Sequence, residues 1–334
     1  MKKKFLVIRF SSIGDIVLMT PAVRCLKLQY PNAEIHFLTK KKFKAVTVAN
    51  PYIDKFHYYD DNFSELKKEL QAERFDYIID LHKNLRTLRL RFSLRSKWLA
   101  YKKLSVQKFL LTKFHIDVMP RTHITQRSLQ TLLPLGVKDD GLGLDYFIPK
   151  EDELYKSDLP LTHQNGFGAI VIGASYFTKK LPVYKLVELC DNIDFPLVLL
   201  GGKEDEKEAM EIITKTKNKN VWNACGKFNL NQSADLVRKS SWVISHDTGL
   251  QYIACAFQKT VMAVWGGTSP KLAVEPYYGT MNEPLYKNFI VANLSCQPCS
   301  NFGTKACPKR HFNCMNQQKI SLIIDELKRR NCLS

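Results

Sequence analysis

The chain has 334 residues, 45% of them hydrophobic and 25% charged, and its 50 Lys or Arg against 32 Asp or Glu give a formal net charge of +18. That hydrophobic share excludes an intrinsically disordered chain, and the length exceeds one ordinary domain, so two domains are expected. The basic excess implies an anionic partner: nucleic acid, a phosphorylated small molecule or an acidic membrane surface would each satisfy it.

The chain starts "MKKKFLVIRF", a basic end followed by a short apolar run that Arg9 interrupts. A secretory core needs roughly 7–15 apolar residues, so export is rejected. No stretch approaches the roughly 18 uncharged apolar residues of a spanning helix. The expectation is a cytoplasmic protein, peripheral on a membrane surface. Strands are predicted, in chain order, at 5–10, 35–38, 77–79, 169–172, 197–200, 242–245 and 261–265. Several are too uniformly apolar for a half-exposed sheet and read as strands covered by helices on both faces. Segments 20–29, 184–192 and 230–239 have helical spacing, and the alternation is that of a parallel α/β protein. A Gly-, Pro- and acid-rich stretch between about 139 and 168 interrupts the series, which places a boundary near 155 between two doubly wound domains, 1–155 and 156–334. Residues 317–331 form a closing amphipathic helix whose cationic end suits its C-terminus.

In doubly wound sheets ligands bind outside the carboxyl ends of strands. "SSIGD", residues 11–15, occupies such a loop after the first strand. Gly14 permits the turn, and Asp15 opens the next helix. One reading makes Asp15 a helix cap. The other makes it a carboxylate that takes a proton from a substrate hydroxyl, which acidifies as its oxygen bonds to carbon, so the acid needs no unusual resting pKa. In "VIGASYFTKKLP", residues 171–182, Lys179 can hold a phosphate as a compact point charge, and Pro182 can open a helix. "SWVISHDTGLQYIACAF", residues 241–257, runs strand, polar turn, helix: Asp247 and Thr248 are capping residues, Gly249 allows close approach, and the free N–H groups behind them suit an anion. "LLGGKEDEKEAM" offers Glu204 or Asp205 to a ribose, although acids at a helix start are favoured anyway. No dinucleotide fingerprint and no P-loop motif occurs, against both classes. A polar turn repeated in both halves suits a reaction that joins two substrates.

Residues 81–116 carry ten Lys or Arg and no Asp or Glu. Arg86, Arg89, Arg91 and Arg95 can fork onto phosphate oxygens, with interleaved Leu, Phe and Trp98 expected beneath them. Charge near an anionic leaflet contributes about 1 kcal/mol per basic residue. Plain surface solvation is the bland alternative. A nucleic-acid partner is not expected, since no helix-turn-helix, zinc-finger, KH or RRM signature accompanies the charge. "CQPCSNFGTKACPKRHFNC", residues 296–314, spaces Cys296, Cys299, Cys307 and Cys314 like a structural zinc site, with His311 as a substitute ligand. Structural zinc, unligated thiols packed in a loop, and disulfides all stay open, none of them catalytic. The other five cysteines read as thiols of a reducing compartment.

Four pieces, "SSIGD" at 11–15, "DLHKNLR" at 80–86, "TKKLP" at 178–182 and "SHDTGLQYIACAFQKTVMAVWGGTSP" at 245–270, make nearly the whole chain resemble glycosyltransferase family 9, the lipopolysaccharide heptosyltransferases. The resemblance implies a GT-B fold, with two Rossmann-like domains facing a central cleft. The N-terminal domain would hold the acceptor and the C-terminal domain the nucleotide sugar. It places the catalytic aspartate on Asp15, the phosphate-binding lysine on Lys179, and the donor motif on Asp247, Thr248 and Gly249, with Ser12, Gly14 and Thr178 in the adjoining donor loops. It implies ADP-heptose as donor, a phosphorylated lipid-linked inner-core saccharide as acceptor, inversion at the anomeric carbon, no cofactor for catalysis and residence at the inner membrane. Tyr252 stands where the family commonly has His, and Leu181 where it usually has Trp. A GT-B nucleotide-sugar epimerase or phosphorylase, and a non-catalytic protein binding anionic glycolipid or RNA, are the competing classes.

Overall fold

The computed structural model describes residues 2–333. The chain divides into two compact units. The first runs to Lys103 and takes in Thr122–Pro149 and Gly279–Asn282; the second comprises Leu104–Arg121, Lys150–Tyr278 and the chain from Glu283.

The first unit contains β1 (Lys4–Ile8), α1 (Ile13–Val17), α2 (Thr20–Gln29), β2 (Glu34–Lys40), α3 (Lys44–Thr47), β3 (Lys55–Tyr59), α4 (Phe63–Glu73), β4 (Tyr77–Asp80), α5 (Leu85–Ser93) and β5 (Lys97–Ala100). The chain then passes through α6 (Ser105–Lys113), which belongs to the second unit, and returns for α7 (Ile124–Gln130). The second unit continues with β6 (Gly168–Val171), α8 (Val183–Asp191), β7 (Leu197–Leu200), α9 (Glu206–Lys215), β8 (Val221–Asn223), α10 (Leu230–Lys239), β9 (Trp242–His246), α11 (Gly249–Ala256), β10 (Thr260–Val264), β11 (Tyr286–Phe289), α12 (Asn313–Asn316) and α13 (Ile320–Arg329).

Every strand pairing is parallel. The first sheet runs β3-β2-β1-β4-β5 and the second β11-β10-β9-β6-β7-β8. Counted from each unit's own first strand, both follow the Rossmann order, so each has a switch point where the chain leaves its first strand in opposite directions. These points lie between β1 and β4, and between β6 and β9.

The seven strands predicted from apolar runs are the seven interior strands of the two sheets, and the four that sequence missed, β3, β5, β8 and β11, are the four edges. Interior strands are covered on both faces by helices, so their residues are apolar without alternation; an edge strand such as β5 ("KWLA") has no fully buried residue and is too short to show such a run. The core follows the same logic. In the first unit Leu6, Ile8 and Ile78 of the strands pack with Leu66 and Leu70 of α4 and Leu90 of α5. In the second, Ile170, Leu199, Ile244 and Met262 pack with α8 and with Ile320, Ile323, Ile324 and Leu327, the apolar stripe of α13. Each such fully buried side chain contributes about 1.5–3 kcal/mol.

The change from one unit to the other at Pro149/Lys150 falls inside the Gly-, Pro- and acid-rich stretch. A single cut near 155 describes neither excursion. Thr280 and Met281 donate backbone N–H bonds of 3.1 and 3.2 Å to Gly141 O, which ties 279–282 to the first unit. The basic run 81–116 is likewise shared out, α5 to the first unit and α6 to the second. Among the described residues no helix is long and apolar enough to cross a membrane.

Candidate active site

At the first switch point, Arg9 follows β1 and breaks the apolar run because its head group is needed inside. It is 6% exposed. Its Nε donates to Ser11 O (2.8 Å), Nη1 donates to Leu81 O in the loop after β4, and Nη2 lies 2.7 Å from Asp15 Oδ1. Asp15 is not the cap of α1. Ser12 is, and Asp15 stands at the third position of a capping box, where Oδ2 accepts from Ser12 N (3.0 Å) and Ser12 Oγ (2.9 Å). Burial pushes the Asp15 carboxyl up, but the Arg9 guanidinium and the Ser12 bonds outweigh it and hold the group below the ordinary aspartate range. Its side chain keeps 28% exposure, so an ionised carboxylate stays reachable.

The "DLHKNLR" loop closes this site from the β4 side. Asp80 is buried and its Oδ1 accepts from His82 N (3.0 Å) and Lys83 N (2.7 Å), while Asn84 caps α5 through Arg86 N and Thr87 N. His82 packs edge-on against Phe10 at 5.5 Å, and its Nδ1 has no hydrogen-bond partner among the described residues. Burial, reinforced by Arg9, pushes its imidazole down to about 4, so it is neutral. Sequence reasoning missed both Arg9 and His82. The signal for the first was an arginine inside "VIRF".

At the second switch point, Lys179 ends a short 3-10 turn (Phe177–Lys179) after β6, and Asp247 follows β9. Lys179 Nζ lies 2.7 Å from Asp247 Oδ2 and donates to Asp247 O at 2.8 Å. The loop carrying Lys179 is fixed from behind: His246, buried, accepts Leu181 N on Nε2 at 2.9 Å. That bond requires an unprotonated nitrogen, and burial together with Lys180 and Lys179 pushes the ring down to about 3. The hydroxyl of Tyr252 lies 2.7 Å from Val274 O and 3.2 Å from Asp247 Oδ1. Thr248 takes the cap position of α11 without a side-chain capping bond, so its hydroxyl and Gly249 stand half-buried at the helix start.

Other expected residues are placed more plainly. Thr178 is 1% exposed, its hydroxyl turned to Thr304, and so it supports the loop from inside. Asp205 is buried, accepting from Gly202 N (2.8 Å) and pairing with Lys180 (2.8 Å), whereas Glu204 is exposed. Of this acidic pair, Glu204 is the one open to solvent. On α5, Arg86 lies over the Tyr59 ring at 5.7 Å and Arg89 over Phe63 at 4.4 Å, while Arg91 on the helix and Arg95 just after it are exposed. No carboxylate pairs with any of these four among the described residues. The expectation that the interleaved apolar residues lie beneath them needs correction. Leu90 and Leu94 do, but Leu85, Leu88 and Phe92 are exposed at 79%, 45% and 84%, because α5 has only its Thr87/Leu90 face against the sheet.

Cys296, Cys299, Cys307 and Cys314 carry free thiols and, with His311, line one cavity of about 20 Å³. Cys296 Sγ and His311 Nε2 are 3.9 Å apart. The disulfide alternative finds no support here, and although the donors are soft in kind, no three of their ligand atoms lie within 4.8 Å of one another.

Residues 63–312 match the family described as Glycosyltransferase family 9 (heptosyltransferase). Lipooligosaccharide heptosyltransferase 2 of Campylobacter jejuni subsp. jejuni serotype O:6 is 23% identical over 330 residues, covering 95% of this chain and 96% of that protein. The glycosyl transferase family 9 structure from Veillonella parvula DSM 2008 superposes with a TM-score of 0.77 at 20% identity, over 98% of this chain and 96% of that one. The E. coli ADP-heptose LPS heptosyltransferase II structure superposes with a TM-score of 0.68 at 17% identity, over 96% and 99%.

Proposed function

Because the chain belongs to glycosyltransferase family 9 and has the GT-B fold of heptosyltransferases, we propose that it moves heptose from ADP-heptose to a phosphorylated, lipid-linked inner-core saccharide, with inversion. The observation that carries this reading is the pairing of Lys179 with Asp247 at the second switch point, in the position where a Rossmann-like unit receives a nucleotide.

In this mechanism the acceptor oxygen bonds to the anomeric carbon as the bond from that carbon to the diphosphate breaks. Asp15 takes the proton of the attacking hydroxyl. Arg9 and Ser12 keep that carboxylate ionised and aimed before substrate arrives. Lys179 leaves Asp247 for the diphosphate, and the N–H groups beyond Thr248 and Gly249 face the same charge as it grows. Fixed donors of this kind do the electrostatic work that a metal would otherwise do. Gly14 and Ser12 shape the acid's loop, Thr178 supports Lys179, and Glu204 takes the ribose.

Residues 1–155 are proposed as the acceptor side and 156–334 as the donor side. Arg86, Arg89, Arg91 and Arg95 would meet acceptor phosphates and anionic lipid, with Leu85, Leu88 and Phe92 resting among acyl chains, which would keep the protein peripheral on the inner membrane. Cys296, Cys299, Cys307 and Cys314 are proposed to hold a structural zinc ion remote from the reacting atoms.

The test is a thermal-shift series with ADP-, GDP-, UDP- and CMP-sugars, followed by mass spectrometry of a core acceptor incubated with the stabilising donor. Selective protection by ADP compounds and a mass gain of one heptose are expected. Protection by another nucleotide alone would remove heptose transfer. Sugar turnover without acceptor would indicate an epimerase, and phosphate-dependent turnover a phosphorylase.

A further inference from the structure

Away from the switch point, β2 and β3 bring two histidines together on one face of the first sheet. In the parallel register His36 lies opposite Lys55 and Leu38 opposite His57, so the two imidazoles are diagonal neighbours, and both residues are fully buried. His36 Nδ1 and His57 Nε2 face each other at 2.8 Å. Phe75 stands edge-on to both rings, at 5.0 and 6.2 Å, and gives the pair an apolar wall.

The outer nitrogens are already engaged. His36 Nε2 lies 2.7 Å from Glu34 Oε1, and His57 Nδ1 is bonded to Glu69 Oε1 on α4. A carboxylate accepts, so each neutral ring keeps its one N–H on the outer side and turns a lone pair inward. Two lone pairs that face each other inside the protein repel unless a cation lies between them. The surrounding charge favours one. Glu34, Glu69 and Glu73 bring three carboxylates to the pair, against the two ammonium groups of Lys4, 3.0 Å from Glu73 Oε2, and Lys55, which pairs with Glu73 Oε1.

Glu73, one turn beyond Glu69 on α4, completes the set. One ligand atom each from His36, His57 and Glu73 lies within 4.8 Å of the other two. Two imidazoles and a carboxylate form a set that binds Zn²⁺, and carboxylates on the outer nitrogens are the usual support that fixes tautomer and ring orientation. Zinc keeps its nitrogens at about 2.0–2.1 Å, which sets them about 3.3 Å apart in a tetrahedron, so binding opens the pair by about half an ångström and swings the rings toward Glu73. The surroundings allow this. β3 is the edge strand of its sheet, and the Lys55 side chain, 50% exposed, can release Glu73 and turn to solvent.

We infer that His36, His57 and Glu73 bind one zinc-class divalent ion, with Glu34 and Glu69 supporting the two imidazoles from outside. The ion ties the edge strand β3 and the end of α4 to β2, and no step of the transfer reaction runs through it.

The test uses the full chain, purified under reducing conditions, stripped with a chelator, dialysed and titrated with Zn²⁺ in calorimetry. Residues 296–314 can take up zinc of their own, so the readout is a difference: His57→Gln should bind about one equivalent less than the parent. Loading with Co²⁺ should likewise give His57→Gln weaker visible d–d bands than the parent, while any thiolate-to-cobalt absorption stays the same. Because replacing a buried imidazole can unfold the unit, Glu69→Gln, whose side chain is 44% exposed, supplies a second arm. It should weaken zinc binding by about tenfold and leave the metal-free melting temperature within about 2 °C of the parent. Equal zinc uptake by the parent and a folded His57→Gln would overturn the site and leave a pair that shares only a proton. Unchanged zinc affinity in Glu69→Gln would overturn it as well.

Discussion

The two switch-point loops use one arrangement, an acid held by a cation, and hold it with different grips. In the first unit Asp15 is gripped by an arginine, buried and bonded at three points, and by a capping serine; the acid cannot change partner without dismantling the loop. In the second unit Asp247 is gripped by a lysine whose ammonium is a compact charge on a flexible stem, 13% exposed. A guanidinium fork fixes the acid ionised and aimed. A lysine can exchange one anion for another, as the proposed diphosphate site requires. The capping evidence divides the same way. Asp15 takes part in the capping box of α1, so helix geometry positions it, whereas Thr248 holds the cap position of α11 without a side-chain capping bond, leaving that helix start open.

The comparison can be broken at each grip. The largest effect is expected from Lys179→Ala, which removes the proposed charge-assisted contact to the diphosphate, worth about 1.5–3 kcal/mol, and should weaken ADP binding by roughly 10- to 100-fold in calorimetry. Next is acid stability. His82 at the first loop and His246 at the second are held neutral, at about 4 and about 3, against about 6.5 in an unfolded chain. The unfolded state therefore takes up protons first as pH falls. Stability is full above about pH 6.5 and declines by about 1 kcal/mol per pH unit for each histidine down toward those lower values. Guanidinium unfolding at pH 7.5, 5.5 and 4.5 measures this slope, and His82→Gln should remove about half of it. A flat profile would mean these rings are not buried neutral. The smallest effect is at α5. Arg91→Glu should leave the melting temperature within about 1 °C, as surface changes do, while weakening binding to vesicles containing anionic lipid several-fold. Equal binding of both proteins would remove the membrane role of that helix.

Sequence reveals what burial makes uniform. The interior strands were legible because both of their faces are covered, and α2 and α10 because their apolar spacing and ends coincide. The edges β3, β5, β8 and β11 were not, since an edge strand needs few apolar residues. The loop motifs were legible as motifs, but their internal division of labour was not. Nothing in "TKKLP" separates Lys179, which meets Asp247, from Lys180, which pairs with Asp205 and Glu208. Nor does "SSIGD" announce that the residue immediately after the strand, Arg9, sets the charge of Asp15. Such roles arise from side chains converging across a sheet, which no local spacing encodes.

In the proposed mechanism Asp15 serves proton removal and nothing in donor binding. Single-turnover transfer by Asp15→Asn, with ADP affinity measured on the same preparation, addresses it directly. The transfer rate should fall by about 10²- to 10⁴-fold while ADP affinity stays within about twofold of the parent. A variant that transfers heptose at the parental rate, or one whose loss of activity is matched by loss of ADP binding, would contradict it.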